Sequence, residues 1–196
     1  MDATCKHREK GLSLRRLETF NAATLLGSPF AVILHDAVDQ KYCAVCEEII
    51  GHVIPKPNEL LAVTALFRAC NPTKLSGSDV RFLRKSLHLK AKEFAEKIDV
   101  TPEYLSRIEN DHQAIGLHYE RLLRMQVCIE LFDCAHPSLH SQIKAVPRMD
   151  IKVMRTTFDP LVFNLSLELQ AKSAEIPKIA EEDQKRYSEI PEKVAS

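Results

Sequence analysis

The chain has 196 residues, 45% of them hydrophobic, enough for one or two domains with real cores. Its 27 lysines and arginines balance 27 aspartates and glutamates, which excludes a wholesale polyanion binder of ribosomal or histone type but allows a basic patch on one domain. Five glycines is a low count, no phosphate-cradling glycine loop occurs, no apolar run nears the roughly 20 residues that span a bilayer, and MDATCKHREK lacks a signal-peptide core; a soluble, cytoplasmic protein with no membrane partner is expected.

Residues 1–57 hold short β-like runs and are expected to form a small β-rich domain. In PFAVILHDAV (29–38), Phe30, Val32 and Leu34 alternate with Ala31, Ile33 and His35, a strand pattern rich in β-branched residues. KYCAVCEEIIGHVIP follows as a second strand pair interrupted by a knuckle. Cys43 and Cys46 form a C-x-x-C, whose thiolates point into one tetrahedral corner as a zinc knuckle requires. A single pair is half a site. The completion expected is Cys5 with His7, three thiolates and one imidazole around a structural Zn2+. Arg8 stands where a second C-x-x-C would have its other cysteine, so that half is degenerate, and His35 and His52 are substitutes for the fourth ligand. An empty knuckle and a redox pair remain as alternatives, although a thioredoxin-type motif should open a helix inside a βαβ pattern, and none is visible. Six cysteines in a cytosolic chain do not suggest a disulfide framework. Cys70, Cys128 and Cys134 stand singly among apolar residues and read as buried small hydrophobes.

Pro55 and Pro57 close the β region, and a linker helix is expected over 58–72, capped by Asn58 and stopped by Asn71-Pro72. A five-helix all-α domain is expected over 73–134. Ser76 is an N-cap with Asp79 three residues on, close to a capping box. Val80, Phe82-Leu83 and Leu87 make the first apolar stripe. Phe94-Ala95 and Ile98 make the next, then Tyr104-Leu105 and Ile108, then Tyr119, Leu122-Leu123 and Ile129. Residues 135–196 form a C-terminal extension: a hairpin turning at Asp159-Pro160, then a helical or disordered tail rich in charge. The fold class expected is α+β.

AKEFAEKIDVTPEYLSRIEND (91–111) is the segment with chemistry to offer. Ala95 is small where two helices approach, and Ile98, Val100, Leu105 and Ile108 form the packing set. Asp99-Val100 makes the turn, Thr101 caps the second helix, and Pro102 takes its first position, where a missing N–H costs nothing. Glu103, Tyr104, Ser106 and Arg107 face outward, as a helix inserted in the major groove requires.

With Arg84 and Leu89 before it, and Glu93-Phe94-Ala95, Val100-Thr101, Leu105-Ser106 and Glu109-Asn110 within it, this segment resembles the helix-turn-helix of phage-repressor and Cro type, the XRE class. The resemblance implies that Arg84 pairs with Glu109. It sets Asp99 in place of the usual turn glycine, where φ is positive, and passes phosphate contact from a missing glutamine to Lys90 or Lys92. The C-x-x-C-E, the linking helix and LSGSDVRFLRK extend the likeness, over roughly residues 40–125, to zinc-finger/helix-turn-helix regulators that include MqsA-type antitoxins. In that family Ser-Arg-Ile-Glu, here Ser106 to Glu109, carries a guanine-reading arginine, which is Arg107. The assisting asparagine is replaced by Glu103, for which cytosine N4 is the partner expected. Lys90, Lys92, Thr101, Glu103, Tyr104, Ser106, Arg107, Asn110, His112 and Gln113 are the DNA-binding candidates. About ten basic against eight acidic residues between Lys74 and Arg124 leave affinity to placement rather than bulk charge. The resemblance implies a dimeric repressor on a palindromic operator, or an antitoxin that binds a toxin through the N-terminal domain. No Ser/His/carboxylate cluster or HExxH-like motif stands out, so no catalysis is expected.

Overall fold

The β-branched run beginning at Val32 forms the strand on which the sheet is built. A computed structural model describes residues 11–134, 140–148, 151 and 161–164. In it β1 (Leu12–Asn21) and β3 (Ile49–Val53) flank β2 (Val32–Cys43), both antiparallel to it. β3 covers only the second half of that edge of β2. The first half pairs in parallel with β4 (Leu161–Asn164), Val32 opposite Leu161. The hairpin expected at Asp159-Pro160 has its turn and first arm outside the described residues. The segment beyond Asn164 also lies outside the described residues.

Alternation along β2 breaks twice, and the first break has a visible reason. Val32 and Leu34 are buried, and then Ala37, Val38, Gln40 and Cys43. Between the two sets the register slips: Leu17 faces Val38 but Thr19 faces His35, so β2 carries one extra residue. Asp36 takes that bulge with φ +48°. Arg16 pins it, donating to Asp36 O at 2.8 Å and making a two-point contact with Asp39. The Arg16 charge and bond in turn hold the Asp39 carboxyl below the usual carboxylate range. The short helix α1 (Ala23–Leu26) and Gly27, at φ +65°, turn the chain from β1 into β2.

Among the described residues six further α-helices follow: α2 (Pro57–Cys70), α3 (Gly77–Ser86), α4 (Ala91–Lys97), α5 (Pro102–Glu109), α6 (Leu117–Glu130) and α7 (His140–Ala145). α2 begins two residues earlier than Asn58 as cap would place it, with Pro57 in its first turn and Lys56 at φ +47° before it. It packs against both α3 and α6, burying Leu60, Ala62, Ala65, Leu66 and Ala69. Ser76 and Asp79 close a full capping box on α3. Phe30, just before β2, meets Phe82 of α3 edge to face at 5.6 Å, so the root of the sheet is seated on the helices.

With so few glycines, helix ends are made by other residues. α3, α4 and α5 all stop at a residue in the left-handed region: His88 (φ +57°), Asp99 (+55°) and Asp111 (+56°). Each is followed by a backbone N–H that reaches back to the last turn: Leu89 to Arg84 O, Val100 to Ala95 O, His112 to Arg107 O. This is the Schellman arrangement, made here without glycine.

Gly77 is a different case, required for closeness. A Cβ there would lie 2.2 Å from Ile108 O and 2.8 Å from Asp111 Oδ1, because the start of α3 presses on the end of α5 and Gly77 N–H donates to Asp111 Oδ1. Gly77→Ala is therefore expected to cost at least about 1–3 kcal/mol by overpacking backbone against backbone. Urea unfolding measures it, and a loss under about 0.5 kcal/mol would contradict this packing.

The centre of the helical part is ionic as well as apolar. Arg68 of α2 makes two bonds of 2.8 Å to the Asp79 carboxylate. Burial pushes that carboxyl up, yet the Arg68 bonds and charge outweigh it and hold it below the ordinary value. Arg124 and Glu120, one turn apart on α6, are both fully buried. Arg124 also donates to the carbonyls of Ala69, Asn71 and Thr73. Those carbonyls belong to the end of α2 and the turn after it, so α6 grips that turn from inside.

Candidate nucleic-acid interface

α4, the turn and α5 place two sets of side chains on opposite sides. Of the packing set, Ile98, Leu105 and Ile108 are buried, with Phe94 and Ala95 beside them, while Val100 is half-buried. Glu103, Ser106, Arg107 and Asn110 are exposed, and their spacing of three, one and three puts them on one face of α5. Thr101 Oγ1 accepts from Tyr104 N–H at 3.1 Å, with Pro102 in the first turn. Thr101 thus caps the helix from a solvent-facing position.

The orientation of α5 is fixed from behind by Arg84. Its Nε and Nη2 reach the Glu109 carboxylate at 2.6 and 2.9 Å, the pair implied by the resemblance. Glu109 raises the Arg84 pKa further above its ordinary value through that bond, so the guanidinium stays charged. The third arm of Arg84, Nη1, donates to Leu89 O at 2.9 Å. One side chain therefore ties the last residue of α5 to the residue before Lys90. The ten candidates then divide by what else they do.

Lys90, Lys92, Glu103, Arg107, His112 and Gln113 are exposed, and among the described residues the side chains of Lys92, Glu103, Arg107 and Gln113 have no intramolecular partner. Lys90 stands just ahead of α4, its N–H held by Glu93 Oε2 at 2.8 Å, so its side chain projects beside that helix N-terminus. Asn110 and Ser106 are engaged with each other: Asn110 Nδ2 donates to Ser106 O at 2.8 Å. Tyr104 is half-buried, its ring 5.4 Å from that of Tyr119 on α6. It braces the outward face as well as belonging to it.

Arg81 was not legible as part of this site. Its Nη2 donates to Glu109 O at 3.2 Å and to Asn110 Oδ1 at 2.6 Å. A cation set on the final carbonyls of a helix both satisfies them and complements the negative end of its dipole. Arg81 sits one turn before Arg84 on α3, so the two arginines hold the C-terminal end of α5 from two sides. The only sequence signal was that spacing, which by itself also describes an ordinary solvated face.

At the C-x-x-C, Cys43 is buried at the end of β2 and Cys46 exposed. Glu47 N–H returns to Cys43 O at 2.8 Å with Glu47 at φ +59°, and Cys43 N–H reaches Glu48 O at 3.0 Å. Cys5 and His7 lie outside the described residues, and no group of three potential ligands occurs among the described ones. His35 is engaged with Thr19 at 3.3 Å, and the His52 ring lies tilted against Phe20 with centroids 4.6 Å apart. Both substitutes for the fourth ligand thus have other contacts.

Residues 80–119 match the family model described as helix-turn-helix. That span runs from the first turn of α3 to the first turn of α6. No curated protein and no solved structure matches the chain. Over residues 80–119 the match supports a helix-turn-helix DNA-binding regulator of the XRE type. No helix of the described residues is long and apolar enough to cross a membrane.

Proposed function

We propose that this protein is a dimeric, sequence-specific repressor that inserts α5 into the major groove of a palindromic operator. The observation that carries it is the contrast on α5. The Arg84–Glu109 pair and the Arg81 cap immobilise its inner side, while Arg107 projects outward with no internal partner among the described residues. A preorganised helix with one uncommitted arginine suits bidentate contact with guanine O6 and N7. Glu103, one turn earlier, is placed to accept from cytosine N4. Lys90 and Lys92, at the start of α4, are the phosphate contacts of this reading, and Gln113 and His112 flank the far end.

Selection of bound duplexes from a random pool tests the reading. Enrichment of a palindrome with half-sites about 10–10.5 base pairs apart is the expected result. A pool that stays random after several rounds would sink it. A structural zinc on Cys43, Cys46, Cys5 and His7 belongs to the same proposal, in which the metal cross-links the β2–β3 turn to the N-terminus. Metal analysis of that preparation is expected to find one zinc per chain, lost in Cys43→Ser.

A second reading, an antitoxin, has one observation in its favour. Val45, Ile49, Ile50 and Val53 are all exposed on the β2–β3 hairpin, an apolar surface of the kind that marks a protein contact. Its test is co-purification with the product of a neighbouring gene. A complex that survives gel filtration and is lost in Ile49→Asp supports it, and separate elution counts against it.

A further inference from the structure

Two cysteines that the sequence reading set apart as inert fillers meet in the core. Cys70 ends α2 and Cys128 lies in the last turns of α6. They are separated by 58 residues, and their sulfurs are 4.0 Å apart. Cys70 is 9% exposed and Cys128 2%. The juxtaposition does not depend on two loose side chains. Arg124, one turn before Cys128 on α6, donates to the carbonyls of Ala69 and Asn71, the residues on either side of Cys70. The same α6 turn thus fixes the backbone around one thiol and carries the other. We infer that Cys70 and Cys128 are a modification site, a buried dithiol that a peroxide closes into an intramolecular disulfide locking α2 to α6.

The approach required is small. A disulfide needs sulfurs about 2.05 Å apart, roughly 2 Å closer than they lie, within the reach of thiol rotation and a slight closing of the two helices. Reactivity is divided between the two. The bond from Cys128 holds the Cys70 thiol below its ordinary pKa against the opposing effect of burial, and the Arg124 charge adds to it. Cys128 is pushed up by that bond and by burial. Cys70, the more exposed of the two, is the first nucleophile. Its thiolate attacks one peroxide oxygen, breaks the O–O bond and becomes a sulfenic acid, releasing water once the leaving hydroxide takes a proton. The Cys128 sulfur then displaces the sulfenic hydroxyl, forming the S–S bond and a second water. Two thiols and one hydrogen peroxide give one disulfide and two waters, the two electrons passing from sulfur to oxygen.

The lock should stabilise the chain, because it closes a long loop in the unfolded state while joining elements already packed together. The test treats the full chain with hydrogen peroxide, alkylates free thiols in denaturant without reductant, and maps the peptides by mass. The expected result is a Cys70–Cys128 linked peptide two hydrogens lighter than its halves, reversed by reductant and absent from Cys70→Ala and Cys128→Ala. The Tm of the oxidised wild type should rise by several degrees and return on reduction, with no such rise in Cys128→Ala. Cys70 and Cys128 both fully alkylated after peroxide treatment would overturn the site, and a linked peptide with a lowered Tm would overturn the lock.

Discussion

Replacing Arg124 by methionine is expected to destabilise the folded chain by about 3–5 kcal/mol, the usual cost of breaking a buried ion pair from one side. Arg124 and Glu120 are both at 0% exposure. Methionine fills much of the volume but leaves the Glu120 carboxylate uncompensated and the carbonyls of Ala69, Asn71 and Thr73 without their donor. Burial already draws the Arg124 guanidinium down from its ordinary pKa, with Glu120 opposing it, so the charge is held in place by its partner. Glu120 itself is imperfectly served. Oε1 accepts from Leu75 N–H and from Arg124, while Oε2 has no hydrogen-bond partner among the described residues. An orphaned oxygen of that kind costs about 1–3 kcal/mol, so the network is better understood as fixing the α2–α3 turn than as maximising stability. Urea unfolding of Arg124→Met, Glu120→Gln and the double variant checks this. The double should recover part of the single-variant loss, because it removes the uncompensated charge. A loss below about 1 kcal/mol in Arg124→Met would contradict the buried network.

Arg107→Ala is expected to raise Kd for the operator about 5- to 150-fold, equivalent to ~1–3 kcal/mol for one bidentate base contact. Its stability should not change, because Arg107 is exposed and carries no internal bond among the described residues. The salt dependence separates reading from simple charge. Removing a base contact should leave the slope of log K against log salt nearly unchanged. Lys92→Ala, a phosphate contact in the proposed arrangement, should lower that slope by about 0.9 and weaken all sequences alike. Fluorescence anisotropy at several salt concentrations gives both numbers. Equal losses on operator and scrambled duplex in Arg107→Ala would reduce Arg107 to a phosphate contact.

The helix-turn-helix was legible because its determinants are local. The Ser76–Asp79 box, Thr101 with Pro102, and Asp99 at the turn each act within four residues, and the structure forms all three. The Arg84–Glu109 pair is not local, yet a recurrent motif implied it. The buried charges were illegible for the opposite reason. Arg68, Glu120 and Arg124 read as solvated helix faces, and only the packing of α2 against α3 and α6 turns them inward. Cys70 and Cys128 are apolar in context and far apart in sequence, so their meeting exists only in three dimensions. Arg81 looked like any surface arginine until the end of α5 was placed beside it. In the sheet, β1 escaped notice because all of its side chains are exposed or half-exposed, which leaves its alternation faint, and the Asp36 bulge breaks the period of β2 midway.

The central claim is that the outward face of α5 reads base sequence, and selection from one random duplex pool by the wild type and by Arg107→Ala tests it most directly. The account predicts a palindrome from the wild type. From the variant it predicts the same palindrome with preference lost at one symmetric pair of positions, a guanine in each half-site. Identical preferences from both proteins would contradict it.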